Sequence, residues 1–399
     1  MKLKFLLFYI LLLILSKIKK ISHNNQLFIS NKWIVMTVYN SPDTNFIELL
    51  KNLNSWKIVV IGNNPINDIK WKKLENGNKL IYLSLKEQLN LGYKIIKYLD
   101  YNSNSRKNIG YLYAIQHGAK EIYEIDEDII IKDLIYLDDC FNNTFISYFL
   151  NNGSKMVNPF DYFGEKYIWP RGFKIKDIGN NDNNKYFLLN SSKLEIKPLI
   201  FQGLINGFPD VDSIFMQTRM DKNNIININI SNNYPLLYLP GNYIPINSKN
   251  TKYLYNIFPY LLLPNTINDR FSDIFRGYIM QRFAWSYKGA VIYFSNSIYQ
   301  NKLKYSNELD FIKDKEIFYT LDNLLIELNK QIKIEDNNPI EFLIQIIKNL
   351  VKQGFLKKND LKLYKSFIKD LLKVGYNFSS DFLQEITLIF YIKEYKICI

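Results

Sequence analysis

Cysteine is nearly absent: Cys140 and Cys398 are the only two, far apart and without a CxxC pair, and there are only two histidines. A disulfide framework and a Cys/His zinc site are therefore excluded. Alanine and arginine are scarce at four and six residues, beside 16 glycines and 12 prolines in 399 positions. Lys, Asn, Ile, Tyr and Phe dominate, all with AT-rich codons, so part of the formal charge of +13 reflects base composition. The lysines are dispersed and no nucleic-acid-binding motif is present, which argues against a nucleic-acid partner. Residues that need GC-rich codons should survive where physics requires them. They concentrate between Gly62 and Gly289, and all six arginines lie between Arg106 and Arg282. That interval is where chemistry is expected.

A content of 47% hydrophobic and 16% aromatic residues belongs to a folded chain. Its one long apolar run, Phe5 to Leu15, is flanked by Lys2, Lys4, Lys17, Lys19 and Lys20. A signal anchor, a cleaved signal peptide and a buried helix all fit the run. The absence of alanine before Ala114 removes an Ala-x-Ala cleavage site and favours the uncleaved anchor over residues 1–22.

From Trp33 the pattern alternates between strands and helices. Trp33 to Tyr39, Trp56 to Ile61, Lys79 to Leu83 and Glu121 to Ile125 read as strands, with apolar residues at helical spacing between them, as at Phe46, Leu49, Leu50 and Leu53. This predicts an open α/β sheet over the first 130 residues. Residues 151–300 are rich in Pro, Gly and aromatics with short strands and one helix near Ile274 to Tyr287. Beyond Tyr305 a Lys/Glu/Leu/Ile periodicity predicts a separate helical region over 301–399.

The fourth strand runs directly into Asp126-Glu127-Asp128. Ligands of open α/β sheets bind at the carboxyl ends of strands, where two aspartates one residue apart suit Mn²⁺ or Mg²⁺ bound to a diphosphate. A solvated acidic turn is the plain alternative. Upstream, Asn102 to Tyr111 opens a helix with Arg106 and Lys107 where an anion can sit.

The stretch Arg106 to Lys120 with the acidic triplet resembles the STELLO family of probable Golgi glycosyltransferases. So do Asn90-Leu-Gly92, Asn158-Pro-Phe-Asp-Tyr-Phe-Gly164, Trp169-Pro-Arg-Gly172, Gln202 to Ser213 and Asp273 to Trp285. These blocks occur in order between about residues 33 and 299. The resemblance implies a GT-A-like nucleotide-sugar-binding fold over 30–300 behind a single-pass membrane anchor. It further implies a Golgi or secretory-pathway lumenal location and transfer of a sugar from a nucleotide-sugar donor to a glycan or glycoprotein. The segment from 300 to 399 has no counterpart recognisable in the sequence.

Position and resemblance together assign Asn40 and Asn63 to the nucleoside, Arg106 and Lys107 to the diphosphate, and Asp126 and Asp128 to the metal. Asp273 and Asp212, with Asp210 a further candidate, are expected to supply the acid or base near the acceptor. Asp273 in an i,i+3 pair with Arg276 is the structural alternative. Arg106, Arg276 and Arg282 are expected around one cleft with the triplet, and Arg171 from the opposite wall. His117 is expected to pack or cap; Trp169 and Trp285 are either sugar platforms or core. A non-catalytic scaffold retaining the fold is the competing reading.

Overall fold

A computed structural model describes residues 29–76, 78–131, 145–149, 156, 158–179, 186–190, 196–219, 234–300, 307–330 and 339–378. The predicted anchor and both cysteines lie outside them. Among the described residues no helix is long and apolar enough to cross a membrane.

The architecture is mixed α/β, built on one large sheet. Its first part comprises β1 (Lys32–Val38), α1 (Thr44–Asn52), β2 (Lys57–Gly62), α2 (Asp68–Leu74), β3 (Leu80–Leu83), α3 (Leu85–Asn90), α4 (Lys107–Gln116) and β4 (Glu121–Ile125). These four strands run parallel in the order β3-β2-β1-β4. β1 is covered on both faces, which explains its unbroken apolar run. Trp33 and Val35 join the cluster holding Ile109 and Leu112 of α4, while Ile34, Met36 and Val38 join Phe46, Leu49 and Leu50 of α1. Gly110 lets α4 approach β1, since a Cβ there would stand 2.6 Å from the Val35 Cγ1.

The second part comprises β5 (Ile129–Ile131), β6 (Phe145–Phe149), α5 (Pro159–Tyr162), β7 (Tyr186–Asn190), β8 (Lys197–Gly207), α6 (Ser213–Arg219), β9 (Leu236–Tyr238), β10 (Asn250–Leu254), α7 (Asp269–Ala284) and β11 (Gly289–Gln300). Here the sheet is mixed: β10 runs antiparallel to both β4 and β8, and β8 parallel to β11. β11 also pairs with β5 immediately after the acidic triplet.

Helices α8 (Asn307–Lys330), α9 (Pro339–Lys352) and α10 (Lys358–Lys373) follow. The sequence predicts them as helices, which they are, but as a region apart, which they are not. Ile317, Leu321, Leu324, Phe342, Ile346 and Phe367 belong to the same buried cluster as Ile274 and Phe283 of α7. Asp360 of α10 accepts the Asn265 backbone N–H at 2.8 Å, and Asp370 accepts that of Ile95 at 2.9 Å.

Candidate functional site

The chain returns from β3 to place β4 beside β1, and at such a reversal the carboxyl ends of the strands are where a crevice is expected. A cavity of about 360 Å³ opens there. It is lined by Tyr39 after β1, by Asp126, Glu127 and Asp128 after β4 with Ser248 and Lys249 beside them ahead of β10, by Arg171 and Asp210, by Asp269, Arg270 and Asp273 of α7, and by Asp310 and Lys313 of α8. The expected parallel sheet with the triplet facing a pocket is what the structure shows.

Three sequence blocks converge on the far side. Pro170 bridges to Val211, the Asp212 N–H donates to the Trp169 carbonyl at 2.8 Å, and the Tyr278 hydroxyl donates to the Gly172 carbonyl at 2.6 Å. Gly172 takes φ +101°, a left-handed conformation that favours glycine. Arg171 is thereby aimed between two acids. Its Nε and Nη2 donate to Asp210 at 3.0 and 2.7 Å, and its Nη1 and Nη2 to Asp273, both at 3.0 Å. Burial would raise the Asp210 carboxyl, but Arg171 and Lys249 outweigh it and hold the group well below the usual carboxylate range.

Asp273 accepts, besides Arg171, the Ser248 backbone N–H at 3.1 Å and hydroxyl at 3.3 Å. A carboxylate so fully engaged holds Arg171 in place and has its oxygens occupied. The predicted i,i+3 pair with Arg276 does not form. Asp212 lies behind the wall, 1% exposed, and accepts the Ile214 and Phe215 N–H groups at 2.8 and 3.3 Å as the cap of α6. Burial pushes its carboxyl up to about 6.

The basic residues chosen from sequence go elsewhere. Lys107 is buried, and its ammonium reaches Asp126 Oδ1 at 2.6 Å, the Ser248 carbonyl at 3.1 Å and Glu124 at 3.3 Å. Burial alone would lower its pKa, yet the two carboxylates more than offset this and keep it charged. It props the acidic loop from behind. Arg276 is locked beneath the sheet by Glu124 at 2.8 Å, the Tyr111 and Tyr253 hydroxyls at 2.8 and 2.9 Å and the Leu261 carbonyl at 3.2 Å. Arg106 donates to Gln88, whose own amide ties the Gly62 and Leu83 carbonyls at the ends of β2 and β3. Arg282 donates to the Leu328 carbonyl of α8 at 3.3 Å. Arg106, Arg276 and Arg282 thus share no cleft, because long side chains near the core are consumed in joining elements together.

Asn40 and Asn63 stand beside the cavity rather than in its wall. Asn40 presents its backbone N–H at 3.0 Å and its side-chain amide at 2.6 Å to Glu127, fixing the triplet's middle residue, which also accepts the Tyr39 N–H at 2.7 Å. Asn63 is buried, with its amide 3.4 Å from the Ser103 carbonyl. His117 packs as expected, stacked on Tyr113 with a ring separation of 4.1 Å. Trp169 packs edge-on against Phe173 and Trp285 against Tyr243, so both are core.

The cations that do face the cavity are Arg171, expected, and Lys249, Arg270 and Lys313, not expected. Lys249 is loosely held, 3.3 Å from the Gln300 side-chain carbonyl and 3.8 Å from Asp210. Arg270 is tied to Asp314 at 2.6 and 2.8 Å and to Asp310 at 3.2 Å. A signal for Arg270 existed in its being one of six arginines; a single lysine among many gave none for Lys249.

Among the described residues no group of three His, Cys, Asp or Glu side chains could hold a metal by itself. Asp126 and Asp128 each carry one oxygen already engaged, by Lys107 and by the Gln300 amide, and one uncommitted. Two such carboxylates fit a hard cation that completes its shell with phosphate oxygens and water.

With this geometry in place, comparison with known proteins gives two informative matches. Over 360 residues, 88% of this chain, it is 31% identical to Probable glycosyltransferase STELLO1 of Arabidopsis thaliana. The same span is 31% identical to Probable glycosyltransferase STELLO2 of that plant. Over that span the chain is similar to both STELLO proteins. No protein-family model matches the chain. It covers 45% and 46% of the two plant proteins, less than half of their length. Residues 1–300 are about three quarters of the chain, so a STELLO match over 88% must continue into the C-terminal helices. The lack of a counterpart beyond residue 300, expected from sequence, is corrected by that extent.

Proposed function

We propose that this chain is a glycosyltransferase of GT-A type, moving a sugar from a nucleotide-sugar in the β1/β4 crevice to a hydroxyl of a glycan or glycoprotein. The observation that carries the reading is the cavity itself: two partly uncommitted carboxylates at the end of β4 line a space of about 360 Å³ together with the loosely held Lys249, which the β4/β10 pairing sets beside them. The nucleoside would lie on the β1 side against Tyr39, whose hydroxyl donates to Asn104 at 2.9 Å. Lys249 would meet the diphosphate. Asp126 and Asp128 would hold Mn²⁺ or Mg²⁺, which when bound neutralises charge on the leaving diphosphate. Lys107 and Asn40 keep the acidic loop in register without touching substrate. Arg171, clamped by Asp210 and Asp273, forms a rigid floor for the sugar and acceptor. The apolar run from Phe5 to Leu15 would hold the domain at a membrane of the secretory pathway.

The test is direct binding. UDP- and GDP-sugars are added to the full chain with and without Mn²⁺, and melting temperature is read, since a ligand of the folded state raises it. Stabilisation that needs Mn²⁺ and disappears in Asp128→Asn is expected. No response to any donor refutes the reading and favours a non-catalytic scaffold.

A further inference from the structure

Among the described residues seven carboxylates line the cavity, and six are engaged. Asp126 holds Lys107, Glu127 holds the start of the Tyr39 loop, and Asp128 takes the Gln300 amide. Asp210 and Asp273 share Arg171, and Asp310 faces Arg270 at 3.2 Å. Asp269 differs. Among the described residues no N–H or O–H donates to its carboxylate and no cation lies within ion-pair distance. It is the first residue of α7, exposed at the cavity wall. Lys313 of α8 and Asp273 of its own helix act on its carboxyl, which in turn acts on the Tyr39 hydroxyl; Arg270, next in the chain, and Asp310, Asp126, Glu127 and Arg171 are further charged groups of the same lining.

A carboxylate gripped by a guanidinium has its charge stabilised and its lone pairs occupied, so it accepts a proton poorly. An unengaged carboxylate on the same cavity keeps both oxygens for a substrate hydroxyl. The partial loss of surrounding water raises the Asp269 carboxyl, with Lys313 opposing and Asp273 adding to the rise.

We infer that Asp269 is the general base of sugar transfer and that the reaction inverts the anomeric configuration; the inference rests on the nucleotide-sugar reading above. In the step, the acceptor hydroxyl gives its proton to an Asp269 oxygen as its oxygen bonds to the anomeric carbon. The bond from that carbon to the β-phosphate oxygen breaks, and its electron pair leaves with the nucleoside diphosphate. Entry and departure on opposite faces produce the inversion. A first-turn acid that only stabilises the helix N-terminus is the structural account of the same residue.

The test needs no known acceptor, because water can serve as one. The full chain with Mn²⁺ is given UDP-glucose, UDP-galactose, UDP-N-acetylglucosamine and GDP-mannose. Nucleoside diphosphate release is timed, the anomer first released is read by NMR, and donor affinity is measured by calorimetry. Asp269→Asn should release nucleoside diphosphate roughly 100-fold more slowly with donor affinity unchanged within about twofold. Asp269→Ser serves as the second variant should the amide impair folding. The sugar first released by the wild type should have inverted configuration. Unimpaired turnover in both variants, a retained anomer, or wild-type binding without turnover overturns the role of Asp269 while leaving the site reading intact. Absence of donor binding in the wild type overturns both.

Discussion

Glu124 in β4 and Asp126 just beyond its end are two residues apart and share one lysine, yet they belong to different kinds of assembly. Glu124 is fully buried, surrounded by Lys107, Arg276 and the Tyr111 and Tyr253 hydroxyls, and joins α4, β4, β10 and α7. Asp126 stands at the strand's end with 29% of its side chain exposed and an oxygen to spare. Acid and base in proximity thus have two outcomes: where all valences close on the protein the group is architecture, and where one is left over toward a cavity it can bind. Arg276, buried against Glu124 and two tyrosine hydroxyls, and Lys249, held only at 3.3 and 3.8 Å beside the cavity, differ in a similar way.

The largest expected effect lies on the closed side. Arg276→Met leaves Glu124 with fewer partners in the interior and should cost about 3–5 kcal/mol of unfolding free energy in urea titration. A loss below about 1 kcal/mol would erase the distinction. The next effect concerns Asp212, whose carboxyl burial pushes up to about 6. Between the usual aspartate range and that value the folded state holds a proton the unfolded chain releases, so stability falls as pH rises through the window. Asp212→Asn keeps a capping side chain and should remove about 1–3 kcal/mol of wild-type decline between about pH 4 and pH 7, measured as parallel urea titrations. On the open side, Lys249→Ala should weaken nucleotide-sugar binding about tenfold, roughly 1.4 kcal/mol, by calorimetry. The smallest effect is its companion: folding stability of Lys249→Ala should stay within about 0.5 kcal/mol of wild type. A loss of several kcal/mol there would move Lys249 to the closed assembly.

The strand-helix alternation and the acidic triplet were legible because periodicity and the stop after Ile125 are local properties of the chain. The triplet's place at a strand's carboxyl end followed from the same pattern, whereas its place at the sheet's reversal is set by strand order, which the pattern does not carry. Arg106, Lys107, Arg276 and Arg282 were misplaced for one reason. Sequence shows that a cation is near an acid, but not whether a tyrosine, a glutamine or a carbonyl will close its remaining valences. Lys107 is the sharpest instance, adjacent in sequence to a plausible anion seat and in space on the reverse side of the acidic loop. Asp269 carried an opposite difficulty: beside the obvious Asp273 it looks like an ordinary first-turn acid, and its distinction is the absence of a partner, which only three-dimensional packing displays. Arg171 does reach the cavity wall, because the Trp-Pro-Arg-Gly block fixes its own backbone, ending in the left-handed Gly172.

The rim supplied by α8 bears on how this protein can be divided. Arg270, in the cavity wall, is anchored by Asp310 and Asp314, and Asn268 at the start of α7 donates to the Lys313 carbonyl at 3.2 Å. The stretch after residue 300 is therefore no detachable appendage. A fragment ending near residue 300 would lose one lip of its own opening and the clamp on Arg270, whereas a chimera exchanging α8 between relatives would keep the acidic loop and alter only what can approach it. The shape of the opening is thus open to change through one helix while the acidic loop stays as it is.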